Sequence, residues 1–180
     1  MINRSLSAFE LLQDIQHRSF AHALPLPQKS EIKKTFDGIG FSVGGLRFIA
    51  PLDQINEILT YTAITEVPGA KKWVKGIANV RGNLLAVSDF AGFVTGRIAQ
   101  YSQKSQILIV QFKDIQAGLI VDEVYGLRHF FEENFSQEHH VDEDSFKKFV
   151  KGNYQQGDDI WPVIDIHSII DMPEFRQVAN

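Results

Sequence analysis

The chain has no cysteine. That excludes a disulfide framework and a thiolate metal site, and it removes thiol nucleophiles from consideration. No apolar run is long enough to span a bilayer, and the N-terminus lacks the basic-then-apolar layout of a secretory signal, so the sequence reads as cytosolic with no direct membrane insertion. Positive charge is not in excess either: 18 Lys and Arg against 22 Asp and Glu leave a net charge of -4. A phosphate backbone meets no overall attraction, and nucleic acid is not an expected partner. Phosphate-cradling loops and nucleophile elbows are missing as well, so neither a catalytic residue nor a cofactor is expected. What is present is 180 residues, 44% of them hydrophobic, enough for one substantial core or two linked small ones.

The hexapeptide Lys71-Lys72-Trp73-Val74-Lys75-Gly76 returns as Lys147-Lys148-Phe149-Val150-Lys151-Gly152. The flanks stay in register. Thirteen residues past each closing glycine stands an aspartate, Asp89 and Asp165, each two residues after a valine, Val87 and Val163. Upstream, Phe41, Val43, Ala50, Leu52, Asp53, Ile55 and Ile58 line up with Val110, Phe112, Leu119, Val121, Asp122, Val124 and Leu127. The chain therefore holds two copies of one module.

Each copy reads as about five short strands broken by glycine, which suits a small closed barrel better than a sandwich. Gly44-Gly45 and Arg81-Gly82-Asn83 mark tight hairpin turns. Pro68-Gly69 predicts a single helical turn ending at Gly76. A mainly β body is expected over 36–175, the first barrel about 39–94 and the second about 106–170, with exchange of strands between them left open. The polar link Thr95 to Gln106 reads as surface, and Ile107 to Val110 as a strand buried on both sides. Ahead of the body, residues 1–35 read as a helix and tether. Ser7 and Glu10 have capping-box spacing, Ala8, Leu11, Leu12 and Ile15 share one face, and Pro25 and Pro27 stop the helix after Leu24. Packing of that helix on its own body is the favoured reading over partner binding.

Asp89 and Asp165 could be taken as an acid and base pair, but equivalent places in two copies favour a shared structural job, capping the turn after the last strand. His139-His140 with Asp142, Glu143 and Asp144 offers metal ligands only superficially. The acidic run fits the start of a short helix with Lys147 and Lys148 toward its end, and no metal is expected. Arg81 stands out because its duplicate is Gly157. A guanidinium there suits bidentate recognition of a partner's carboxylate or, equally, an internal pair with Glu57.

The segments GFSVGGLRFIAPLDQINEIL, VPGAKKWVKGIANVRGNLLAVSDF and AGLIVDEVYGL resemble the CheW family of chemotaxis coupling proteins, from about Ile39 to Ile170. The most specific element is Gly76, Asn79, Arg81 and Gly82 followed by Asp89. The N-terminal segment, VKGIANVRG and LIVDEV most resemble the PilI-type adaptors of type IV pilus chemosensory systems. The resemblance implies two pseudo-symmetric, five-stranded SH3-like barrels and a non-catalytic adaptor, recruited to membrane-associated receptor arrays. Its implied partners are the cytoplasmic tip of a chemoreceptor and the regulatory domain of a CheA-type histidine kinase. It raises a partner role for Arg81, places Glu57, Thr65, Lys75 and Gly76 on or near the kinase-facing surface of the first barrel, and places Ile55, Val121 and Val124 in the apolar groove lining, where plain barrel core is the favoured reading. Ala86 departs from the family's proline, which the second copy keeps as Pro162, and puts the edge pairing of that strand in doubt. A flagellar CheW, a generic SH3-like peptide binder and a β-barrel enzyme are the rival readings.

Overall fold

Gly44 and Gly45 sit at φ of 61° and 77°, the left-handed region that a type I′ turn needs and that glycine enters without a Cβ clash. They join β1 (Thr35–Val43) to β2 (Leu46–Pro51), and the Gly45 amide donates to the Asp122 carboxylate at 2.9 Å. β3 (Glu57–Thr60), β4 (Val74–Val80) and β5 (Asn83–Asp89) follow, then the short helix α1 (Phe90–Thr95). The second copy supplies β6 (Gln106–Phe112), β7 (Ile115–Val121), β8 (Glu123–Phe131), β9 (Phe135–Ser136), α2 (Asp144–Lys147), β10 (Val150–Gln156), β11 (Asp159–Ile164) and α3 (Ile166–Ile170), with α4 (Pro173–Arg176) after it. This computed structural model describes residues 34–138 and 140–178, together with Phe9, Leu12, Gln13, Ile15 and Gln16. The last five are helical. The chain divides into two units, residues 1–33 and 34–180, and the expected cap at Ser7, the helix end at Leu24 and the packing of that helix lie outside the described residues.

The copies exchange their first hairpins. One sheet runs β8-β1-β2-β11-β10-β9 and the other β3-β6-β7-β5-β4, so β1 and β2 pair with strands of the second copy and β6 and β7 with strands of the first. Each sheet closes on itself in the same way. Past β3, at one edge, the chain reaches Thr65, whose amide and carbonyl pair with Ile77 of β4 at the other edge, at 2.9 and 2.8 Å. Past β8, β9 pairs with β10. Both closing strands press on the glycine of the repeated hexapeptide. A Cβ on Gly76 (φ 140°) would fall inside the Thr65 carbonyl, and one on Gly152 (φ 153°) would strike Phe135 and the Ser136 carbonyl. Lys75 and Lys151 are the bulged residues beside them, each at a break in register against the neighbouring strand. The duplicated motif thus encodes barrel closure.

Alternation of side chains sorts the apolar residues into three cores. Ile39, Phe41, Val43, Phe48 and Ala50 pack with Leu108, Val110, Leu119 and Val121 between the barrels. Ile107 and Ile120 turn into the first barrel, Ile49 and Trp161 into the second. The run Ile107 to Val110 is buried on both sides, as its continuous hydrophobicity predicts.

Three local expectations need correction. Pro68 and Gly69 form a turn and not a helical one, Gly69 taking φ of 77°. The link 95–106 is not all surface: Ser105 is buried and the Ala99 amide donates to the buried Asp89 carboxylate at 2.9 Å. Ala86 lies in a central strand, where β5 runs parallel to β7 over four residue pairs; at the equivalent place Pro162 has no N–H to give, and β11 meets β2 at one pair.

Candidate partner-binding site

The turn joining β4 to β5 projects Arg81 from the first barrel. Arg81 (φ 51°) and Gly82 (φ 89°) are its central residues, and the Asn79 side chain accepts from the Gly82 amide at 2.9 Å. Left-handed backbone costs a residue with a Cβ roughly 1 kcal/mol, and the duplicate position uses glycine. Arg81 Nη2 donates to Glu57 Oε1 at 2.5 Å, the arginine side chain 77% exposed and the glutamate 29%. Glu57 is held from behind by the β3 ladder against Ile109. Together with Asn56, Val80, Asn83, Leu85, Ile109 and Gln116, the pair lines a cavity of about 190 Å³. The internal pair and an outward guanidinium are therefore compatible: Glu57 aims the fork, and the rest of the arginine faces solvent.

Lys75 reaches the other way. Its Nζ lies 3.8 Å from the fully buried Asp89 and 5.4 Å from the centre of the Tyr101 ring. Asp89 caps α1, accepting from Gly92 N at 2.8 Å. Burial, and then the Asp89 charge, push the Tyr101 hydroxyl well above the usual phenol range. The second copy repeats this arrangement: Lys151 lies 3.5 Å from Asp165, which caps α3 through the Ser168 amide. Burial pushes the Asp165 carboxyl upward, but the Ser168 hydroxyl and amide, with Lys151 and Gln54, outweigh it and hold it below the usual carboxylate range. The two aspartates are caps, as their equivalence implies.

The structure thus gathers Arg81 and Glu57 at one turn, and Thr65, Gly76 and Lys75 around the closure of the same barrel. Thr65 and Gly76 meet through backbone. Ile55 and Val121 are buried in the core between the barrels, and Val124 is half-buried against it. Sequence reasoning passed over Gln54, whose amide bridges the copies: its oxygen accepts from Ile166 N at 2.8 Å and its nitrogen donates to Asp165 at 3.2 Å. Only its place two residues after Leu52 and before the barrel-joining core could have hinted at it. His140 contacts Glu138 at 3.2 Å. Among the described residues, no group of three or more His, Asp or Glu side chains is placed to hold a metal; His139 lies outside them. No helix among the described residues is long and apolar enough to cross a membrane.

Protein PilI of Pseudomonas aeruginosa is 37% identical over 95% of this chain and 96% of its own length. Chemotaxis protein CheW of Thermotoga maritima is 26% identical over 77% of this chain and 89% of its own. The fold is shared with the crystal structure of a scaffolding protein, TtCheW of Thermoanaerobacter tengcongensis, at a TM-score of 0.67 and 24% identity, over 82% of this chain and 100% of that one. Residues 37–174 match the model of the CheW-like domain, so the chain belongs to that family as an adaptor of PilI type.

Proposed function

We propose that the chain is a non-catalytic adaptor joining the cytoplasmic tip of a chemoreceptor to the regulatory domain of a CheA-type histidine kinase, in the system that controls type IV pilus twitching motility. The observation that carries this reading is Arg81. An arginine in left-handed backbone, aimed by Glu57 and largely exposed, is retained where the duplicate has glycine, and its use lies in what it meets outside the chain. The extended likeness to PilI supports the pilus pathway. The adaptor works in the cytosol at membrane-associated receptor arrays, where many modest contacts gain from effective concentration. Coupling is geometric: a receptor rearrangement shifts the kinase only by as much as its two states differ in affinity for the adaptor.

The test is co-elution of the purified chain with the kinase regulatory domain and a receptor-tip fragment. A ternary peak is expected, and Arg81→Ala is expected to dissolve it without unfolding the chain. Absence of any complex would sink the adaptor reading, whereas capture of a proline-rich peptide without kinase would favour the generic peptide binder.

A further inference from the structure

The two barrels fill their interiors differently. The buried residues of the first are aliphatic, Ala78, Val87, Ile107 and Ile120, with Leu59 and Tyr101 among the half-buried residues packed against them. The second is aromatic, with Phe130, Tyr154 and Trp161 beside Ile49 and Val163. Room for the rings comes from β1, where a Cβ on Gly40 would lie 2.9 Å from Trp161 and 3.4 Å from the stem of Arg128. The register that aligns Ile58 with Leu127 aligns Leu59 with Arg128. One copy puts a leucine at its barrel margin, and the other an arginine.

Arg128 is half-buried, its guanidinium 5.1 Å over the ring of Trp161, which is only 3% exposed. Neither the indole Nε1–H nor the Arg128 Nε–H meets an acceptor, and both are sealed from solvent. Both are donors, so neither can satisfy the other. Among the described residues, Arg47, Arg81, Arg97 and Arg176 each face a carboxylate, and Arg128 faces none. Tyr125 stands edge-on to Trp161 at 5.8 Å and carries Arg47 at 5.7 Å over its own ring, but Arg47 is already occupied by Asp159 at 3.1 Å.

We infer that Arg128 and Trp161 form a carboxylate-recognition site on the second barrel, which takes an acidic side chain from a docking protein segment. The planar guanidinium presents paired donors that match a carboxylate, and the indole face holds the fork in one plane. Because Arg128 has no carboxylate partner within the described residues, an incoming acid displaces no internal ion pair. A single carboxylate balances the one charge of Arg128. The site lies on the barrel that does not carry Arg81, and it stands whichever partner engages that residue.

The experiment follows the indole N–H resonance of Trp161 in the full ¹⁵N-labelled chain, assigned with Trp161→Phe. The probe is a blocked Leu-Glu-Leu tripeptide at millimolar concentrations, with Leu-Gln-Leu and inorganic phosphate as parallel arms. A saturating shift is expected with the glutamate peptide, at least tenfold weaker with the glutamine one, and none in Arg128→Leu. That variant restores the residue type of the first copy and is expected to melt no lower than wild type. A lower melting point would make Arg128 a structural residue and overturn the proposal. So would equal response to both peptides, tighter response to phosphate, or no response to the glutamate probe.

Discussion

Replacing Arg81 by glycine removes the guanidinium and at the same time gives the turn the residue its duplicate already uses. The stability change is the sum of three small effects. Relief of left-handed backbone at φ 51° returns about 1 kcal/mol. The added freedom of glycine in the unfolded chain costs about 0.5 to 1 kcal/mol. Loss of the pair with Glu57, whose arginine is 77% exposed, costs about 0 to 1 kcal/mol. The net lies within about 1 kcal/mol of wild type. Arg81→Ala keeps the strain, loses the pair and escapes the entropic cost of glycine, so it is expected to fall below Arg81→Gly by no more than about 0.5 kcal/mol. Thermal melting compares the two, and a pull-down with kinase regulatory domain and receptor tip reads assembly. Both variants are expected to lose assembly while the glycine form stays folded at wild-type temperature. A glycine variant that assembles normally, or melts more than about 2 kcal/mol lower, refutes the reasoning that the arginine is kept for recognition.

Further outcomes test other parts of the account. Glu57→Lys places two cations at one turn and is expected to weaken the kinase contact by more than about 1 kcal/mol in calorimetric titration; unchanged binding would move that surface elsewhere. Gly76→Ala drives a Cβ into the Thr65 carbonyl and is expected to destabilise by roughly 3 kcal/mol in denaturant unfolding, with Gly82→Ala costing less because nothing lies within 4 Å of that position. Acid weakens the fold: Asp165 and Asp171, whose carboxyls are held below the usual range, contribute stability that is present above their unfolded value of 3.8 and lost as pH falls through their folded values. Alkali weakens it too. The Tyr101 hydroxyl is raised in the fold, so the unfolded chain loses its proton first, and stability declines as pH rises past 10.0; Tyr101→Phe is expected to flatten that limb in pH-dependent melts. Deleting the gene is expected to change twitching and surface pilus levels and spare swimming; lost swimming chemotaxis with normal twitching would assign the flagellar pathway.

The repeat was legible because both copies answer the same physical demands. Gly76 and Gly152 admit a closing strand, and Asp89 and Asp165 cap a helix, so the residue types recur at fixed spacing. Hairpins at Gly44-Gly45 and Arg81-Gly82 followed from turn chemistry. Exchange of the first hairpins was not legible, since alternation shows which face of a strand is buried and not which strand lies beside it. The same limit hid the role of Thr65, which acts through its backbone, and of Gln54, whose partners lie more than a hundred residues away. Around Arg81 the pair with Glu57 could be named from sequence, but the backbone angle that makes the arginine costly is set by the fold of the turn.

Coupling is the central claim, and reconstitution measures it most directly: phosphorylation of a CheA-type kinase in the presence of receptor, with the chain absent, present, or present as Arg81→Gly. The account predicts that receptor state alters kinase activity only when the wild-type chain is present, and that the glycine variant, though folded, leaves the kinase unresponsive. Receptor control of the kinase without the chain, or undiminished control through Arg81→Gly, would contradict it.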